Sequence, residues 1–436
     1  MTPHRVTAAS SASPLGPDVG LVVHSHLRWD FVWQRPQQLL SRIATTNNVL
    51  FVEEPIFLDD VTAPSLHVST PNTGVTRVVP HLPARDAGDY DTVARVVRSL
   101  LESLLTSKDI APRFLRVVQW FYTPMPAPVM LGAFNEVAVV YDCMDELAQF
   151  RFAPSDIGER EQLLLAQADV VFTGGYRLFE SKKRYHENTH FFGCGVDARH
   201  FGTARLPETE VPGDVASLSH PVFGYFGVID ERLDYELIAA LAAERPDATV
   251  LMVGPFAKVD PRELPQAANI RWLGQRDYED LPRYVKAFDV CLMPFALNEA
   301  TQFINPTKTL EYMAAGKPIV STAVADVVRN FSPIVRVARS SDEFVRAVLD
   351  AAKEPDESLI AAGMKKAAGS TWEAIVDRMR EIIAAAIVSD TGDARSEISK
   401  EISSDEKPTG RPISWRARGT ASPRLDRAPG KGDPVL

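Results

Sequence analysis

From Val19 onward, short and almost wholly apolar runs alternate with longer helical patterns along this chain. In the first half GLVVHS, NVLFVEE, LRVVQWFY, VAVVYDC and ADVVFTG read as strands, and WQRPQQLLSRIA as a helix or helix start. Strands that are apolar on both faces need cover on both faces. With turn residues and helical segments between them, they predict a parallel sheet with helices on either side. A polar stretch bearing Pro and Gly, ARLPETEVPGDVASLSHP, reads as an interdomain linker. The alternation then restarts with VFGYFGVID, DYELIAALAAERP and ATVLMVGP. IRWLGQ, EDLPRYVKAF, DVCLMPF, PTKTLEYMAAGKPIVST and IVRVA continue it. The plan repeats without a strict sequence repeat. TWEAIVDRMREIIAAAI reads as a terminal helix, with Trp372, Ile375, Val376, Met379, Ile382 and Ile383 at helical spacing.

A chain of 436 residues suits two domains better than one core. Its formal charge of −10 excludes nucleic acid as a general partner, so an anionic substrate needs a local cluster of cations. Cys143, Cys194 and Cys291 form no CxxC pair, which fits a reducing compartment and neither a disulfide framework nor a zinc site. No apolar run reaches the roughly 18–20 residues of a membrane span, and the first residues lack the apolar core of a signal peptide. A cytoplasmic protein is expected. Beyond Ser389 the chain turns polar and then basic, with Arg411, Arg416, Arg418, Arg424 and Arg427. It reads as a solvated tail; the alternative is contact with an anionic membrane surface.

Two doubly wound sheets in tandem put their carboxyl ends across a cleft, where ligands of such sheets bind. PTKTLEYMAAGKPIVST bears on what binds there. Asn305 suits the N-cap and Pro306 the first helical position, while Gly316 and Pro318 end the helix. Lys308 then falls at about the third helical residue, where the macrodipole disfavours a cation. An anion at the helix start removes the conflict, because free N–H groups and the ammonium converge on it. Glu311, one turn later, can accept two hydroxyl hydrogen bonds, as a ribose offers. The alternative is an i, i+3 surface salt bridge worth about 0.2–0.5 kcal/mol.

These segments resemble the GT-B-fold glycosyltransferases, especially bacterial enzymes of family 4 and its relatives. PTKTLEYMAAGKPIVST is similar to their donor-binding helix, and FGYFGVIDERLDYELIAAL to the opening of their C-terminal domain. HSHLRWDFVWQRPQQLLSRIA, WFYTPM and VYDCMDEL resemble a bacterial subgroup of polysaccharide or cell-envelope glycosylation. The resemblance covers about residues 19–388 and implies an α/β, GT-B architecture. Two Rossmann-like domains face across a cleft and a C-terminal helix returns to the first. The expected organisation is a disordered N-terminus (1–17), an acceptor domain (18–205), a donor-binding domain (206–370), a crossover helix (371–388) and a disordered basic tail (389–436).

The resemblance also implies a nucleoside-diphosphate sugar as donor and a glycan or lipid-linked acceptor. Glu311 would bind the ribose, and Gly274, Gln275 and Arg276 would lie against the base. Asn298 and Thr301 would sit near the donor sugar or phosphates. Lys308, Arg232 and Arg35 would carry positive charge to the diphosphate. Phe303 stands where the first glutamate of the family's E-x7-E motif belongs, with Glu299 nearby but out of register, so the sugar is not identified.

In the N-terminal half, His26 is a candidate base or acceptor hydrogen-bond partner, with a structural role as the alternative. Trp29 and Trp33 offer either stacking faces or core packing. Asp142 and Asp145 are candidates to orient the acceptor hydroxyl or take its proton, against helix capping. D-x-x-D lacks the D-x-D spacing of a metal–diphosphate site, and neither metal nor cofactor is expected. The activity implied is sugar transfer to a hydroxyl with retention of configuration. The alternatives are an inactive nucleotide-sugar-binding protein and a GT-B-fold epimerase. Peripheral contact with the inner face of the membrane is a further expectation.

Overall fold

The computed structural model describes residues 13–150, 153–298, 301 and 304–390, the last two of these by backbone alone. Residues 1–386 form one compact unit and 387–436 a second; the account below concerns the first. The expected tail beyond residue 390, Phe303 and Glu299 lie outside the described residues.

The first sheet contains β1 (Val19–His24), β2 (Asn48–Val52), β3 (Ile56–Leu58), β4 (Ser65–Ser69) and β5 (Thr76–Pro83), then β6 (Arg116–Phe121), β7 (Ala138–Cys143), β8 (Val170–Thr173) and β9 (Thr189–Phe191). Its order is β3-β5-β2-β1-β6-β7-β8-β9, parallel except for β4, which runs antiparallel on β5. The second sheet contains β10 (Val222–Phe226), β11 (Thr249–Val253), β12 (Ile270–Trp272), β13 (Val290–Met293), β14 (Ile319–Thr322) and β15 (Arg336–Ala338). Its order is β12-β11-β10-β13-β14-β15, with every pairing parallel. In each sheet the order reverses at the first strand, which makes both doubly wound.

Both central strands are buried along their whole length, and each contains one glycine. A Cβ on Gly20 of β1 would lie 2.2 Å from the Phe114 ring, and one on Gly224 of β10 would lie 2.2 Å from the Phe288 ring. Phe114 precedes β6 and Phe288 precedes β13, the strands that pair with β1 and β10 respectively. The architectural repeat thus extends to one packing device: a missing side chain admits an aromatic ring against the sheet.

The start of the chain differs from expectation. Residues 13–17 dock rather than trail, because Asn47 donates to the Gly16 and Val19 carbonyls and accepts from the Ser13 hydroxyl. The helix Trp372–Asp390 buries Trp372, Val376, Met379 and Ile383. Arg42 pairs with Glu373 at 2.7 Å, and Arg380 donates to the carbonyls of Arg42 and Ile43, so this helix does return to the first sheet's half. Gly195 is needed for close approach: its Cβ would lie 2.7 Å from the Trp372 ring.

Overfilling a close-packed site costs about 1–3 kcal/mol. Gly224→Ala should lower unfolding stability by at least that much in denaturant titration, because the added methyl meets a ring held by the sheet.

Candidate active site

The candidate site lies at the carboxyl ends of both sheets. After β10 the chain turns through Gly227 at φ 146°, and after β11 through Gly254 at φ 149°. Few residues besides glycine adopt such angles. The two turns touch: a Cβ on Gly254 would fall on the Gly227 carbonyl oxygen, and one on Gly227 would lie 2.8 Å from Cε of Lys308. The glycines therefore let the aliphatic stem of Lys308 lie against the end of the central strand.

Lys308 opens the helix Lys308–Ala314, with Thr307 rather than Asn305 before it. The expected cap is used elsewhere, since Asn305 Nδ2 donates to the Gly174 carbonyl in the other half at 3.1 Å. No ion pair between Lys308 and Glu311 forms within 4.0 Å, so the surface salt bridge of the simpler reading is absent among the described residues. Glu311 has a buried oxygen, Oε2, without a hydrogen-bond partner among those residues. Burial pushes its carboxyl up to about 7, against the opposing charge of Lys308. A buried acceptor left unmade is costly, and its presence here marks a place for a donor.

Arg232 follows β10 and is gripped by Asp230, with Nε at 3.0 Å from both oxygens and Nη2 at 2.7 Å from one. Its charge reaches Asp145 of the first half. Burial raises the Asp145 carboxyl, Arg232 lowers it most strongly in return, Asp230 raises it and Arg35 lowers it. Cys194 marks the same convergence. Burial pushes its thiol up to about 12, with Arg35 and Lys308 opposing and Glu311 and Asp145 reinforcing. Asp145, Lys308, Glu311 and Arg232 are thereby brought to one region of the cleft.

His26 lies after β1, with Nδ1 buried and unpartnered among the described residues. Burial lowers it to about 4, helped by the nearby Lys258 and opposed by a backbone hydrogen bond with Tyr122. It is therefore neutral at pH 7, a hydrogen-bonding group rather than a cation. Lys258, unremarked in the sequence, comes from the loop after β11. It adopts φ 57° and places its ammonium 5.2 Å from the Phe150 ring centroid across the cleft.

Other candidates are committed to the frame. Arg35 does not reach toward a phosphate. Its Nε and Nη2 hold Asp142 at 2.9–3.2 Å, and Nη1 donates to the Phe192 carbonyl. Asp142 is 0% exposed, inside β7, and neither caps a helix nor faces an acceptor. Arg276 is spent on Tyr284, Asp214 and the carbonyls of Leu273 and Gln275. Gln275 donates to the Phe31 carbonyl across the cleft, while Gly274, at φ 70°, has open space beside it. Asn298 and Thr301 satisfy each other, and the Thr301 hydroxyl donates to the Ala296 carbonyl. Trp29 is core, edge-on to Phe51, and Trp33 packs against Tyr278 of the second half. The side chains of Arg35, Asp142 and Arg276 are thus taken up by partners distant in sequence, whereas Asn298 and Thr301 pair within their own loop.

Comparison with known proteins bears on the fold that carries this site. Residues 220–354 match the family model described as Glycosyl transferases group 1. HepE of Anabaena, solved with UDP and glucose, superposes with a TM-score of 0.63 at 13% identity, over 84% of this chain and 99% of that one. The chain has the GT-B fold. Sucrose-phosphate synthase of Thermosynechococcus elongatus gives 0.60 at 16% identity, over 85% of this chain and 99% of its own. TuaH of Bacillus subtilis, provisionally named a teichuronic acid biosynthesis glycosyltransferase, is 28% identical over 232 residues. That match spans 49% of this chain and 58% of TuaH.

Breaking a buried ion pair by removing one partner costs about 3–5 kcal/mol. Arg35→Ala should lose stability on that scale in denaturant unfolding, as a structural role requires. A loss under about 1 kcal/mol would return Arg35 to the list of ligand-binding groups.

Proposed function

We propose that this protein transfers a sugar from a nucleoside-diphosphate sugar to a hydroxyl of a bacterial polysaccharide or cell-envelope glycan. One observation carries the reading: a buried, unpartnered Glu311 oxygen one turn from Lys308, a cation with no ion pair among the described residues. A carboxylate that lacks donors beside an ammonium that lacks an anion suits a ribose joined to a diphosphate. HepE was solved with UDP and glucose, and TuaH is named for teichuronic acid biosynthesis; both support the same classes.

Transfer at an anomeric carbon passes through an oxocarbenium-like state, as glycoside hydrolysis does. Its main demand is stabilising the departing diphosphate. Lys308 meets it with a preorganised charge, assisted by Arg232, whose orientation Asp230 fixes. This arrangement neutralises the leaving group with side chains rather than a metal ion. Asp145 and the neutral His26 would orient the incoming hydroxyl. The reading includes a retained configuration and a hexosyl donor. A lipid-linked acceptor would bring the protein to the inner membrane surface; among the described residues no helix is long and apolar enough to cross a membrane.

Two measurements test it. In transfer assays over a panel of uridine and guanosine diphosphate sugars, Lys308→Ala and Glu311→Ala should each lose about 10²-fold or more while keeping the circular dichroism of the parent. Full activity in both ends the proposal. Nucleoside diphosphate affinity should also depend on pH. The raised Glu311 group is ionised above about pH 7 and protonated below it. Affinity should therefore fall as pH drops through 7, and Glu311→Gln should flatten that dependence in calorimetric titration.

A further inference from the structure

The helix Tyr176–Lys182 in the first half has no side chain of its own to cap it, because its N-cap position is Gly175. The cap comes from the other half. Asp326 Oδ2 accepts a hydrogen bond from the Tyr176 backbone N–H at 2.7 Å. Asp326 is the second residue of the helix Ala325–Phe331, which follows β14. Two further contacts grip the same turn. Asn305 Nδ2 donates to the Gly174 carbonyl at 3.1 Å, and the Arg329 guanidinium lies 3.2 Å from the Tyr176 ring centroid. Asp326 is 1% exposed and its other oxygen has no partner among the described residues. Burial raises the pKa of this carboxyl, opposed by the Tyr176 and Arg177 backbone N–H groups and by the charges of Arg329 and Arg177.

What this turn touches gives the grip its consequence. Gly174 donates from its N–H to the Cys143 carbonyl at 3.0 Å, and a Cβ on it would lie 3.1 Å from the Met144 carbonyl oxygen. At the far end of the same helix, Lys182 holds Glu146 at 2.8 Å and Glu161 at 2.8 Å. Met144 and Glu146 flank Asp145. The short helix is thus fastened on both sides of Asp145, and its free end is fastened to the half that carries Lys308 and Glu311. Asn305 lies three residues before Lys308 on the same segment.

We propose that Asp326 and Asn305 are positioning residues: by capping and gripping the Gly174–Tyr176 turn from the opposite half, they hold Asp145 in register with Lys308, Glu311 and Arg232. When the halves separate, the helix loses its cap and the Asp145 loop loses its support, so the aligned site exists only in the closed arrangement. Neither residue touches the reacting atoms. The kinetic part of this inference rests on the transferase reading above; the structural part does not.

The test uses the full chain with Asp326→Ala, Asp326→Asn and Asn305→Ala. Asparagine keeps an acceptor for the Tyr176 N–H and is as good a cap as aspartate. Hydrogen exchange of the amides in 176–182 should quicken by about fivefold in Asp326→Ala, the scale of a lost cap, and return toward the parent rate in Asp326→Asn. Turnover should fall about tenfold in Asp326→Ala with the donor KM changed less than about threefold, because the donor groups are untouched. Asn305→Ala should shift both readouts the same way, and it serves if Asp326→Ala fails to fold. Unchanged exchange in Asp326→Ala or Asn305→Ala overturns the latch. So does an Asp326→Asn variant as impaired as Asp326→Ala, or a donor KM that rises in step with the loss of turnover. If the parent chain transfers no sugar, exchange alone decides, and quickened exchange then leaves the latch standing while the transferase reading falls.

Discussion

The ion pair between Arg35 and Asp142 holds together the frame of the first half where it meets the cleft. It joins the first residue of the helix after β1 to the end of β7, and through the Phe192 carbonyl to the segment after β9. Both side chains are almost fully removed from water, and a charge buried that deeply is tolerated only with its partner in place. Asp145 follows Asp142 by three residues and Cys194 follows Phe192 by two. The pair therefore sets the height and direction of the loops that reach the cleft. It is a fixture beneath the site rather than part of it.

The two halves meet the cleft differently. The second half brings Lys308, Glu311 and Arg232 on elements packed against glycine turns, where rigid backbone and a close lysine stem leave little freedom. The first half brings Asp145 and His26 on loops, supported by buried groups such as Lys182 with its two glutamates. The contacts that cross the cleft come from every side: Gln275 to Phe31, Gln38 to Tyr278, Asn305 to Gly174 and Asp326 to Tyr176.

Much of the frame was legible. The apolar runs placed β1, β2, β6, β7 and β8 and the whole second sheet, because a strand buried on both faces has no choice but to be apolar. The strands β3, β4 and β5 were not marked, since IFL, SLHVS and TRVVPHLP are short, exposed on one face or interrupted by proline. Lys308 and Glu311 were legible because a cation and a carboxylate at those helix positions conflict with local preference unless something else is bound. Arg35, Asp142, Arg276 and Thr301 showed the limit of that logic. Their polarity signalled function; burial turned it into structure for Arg35 and Asp142, while the partly exposed Arg276 is held by Asp214 and Tyr284 and Thr301 by its own loop.

The chain by itself determined two doubly wound sheets and the helix that presents Lys308 and Glu311. Those are consequences of local periodicity and backbone freedom. Only the tertiary structure decided which charges are free, since an arginine's role depends on whether a carboxylate 107 residues away reaches it first. It also decided that Asp145 keeps company with Arg232, and that a helix in one half takes its cap from the other. Electrostatic energy depends on distance and on exclusion of water, and neither is written in the order of residues.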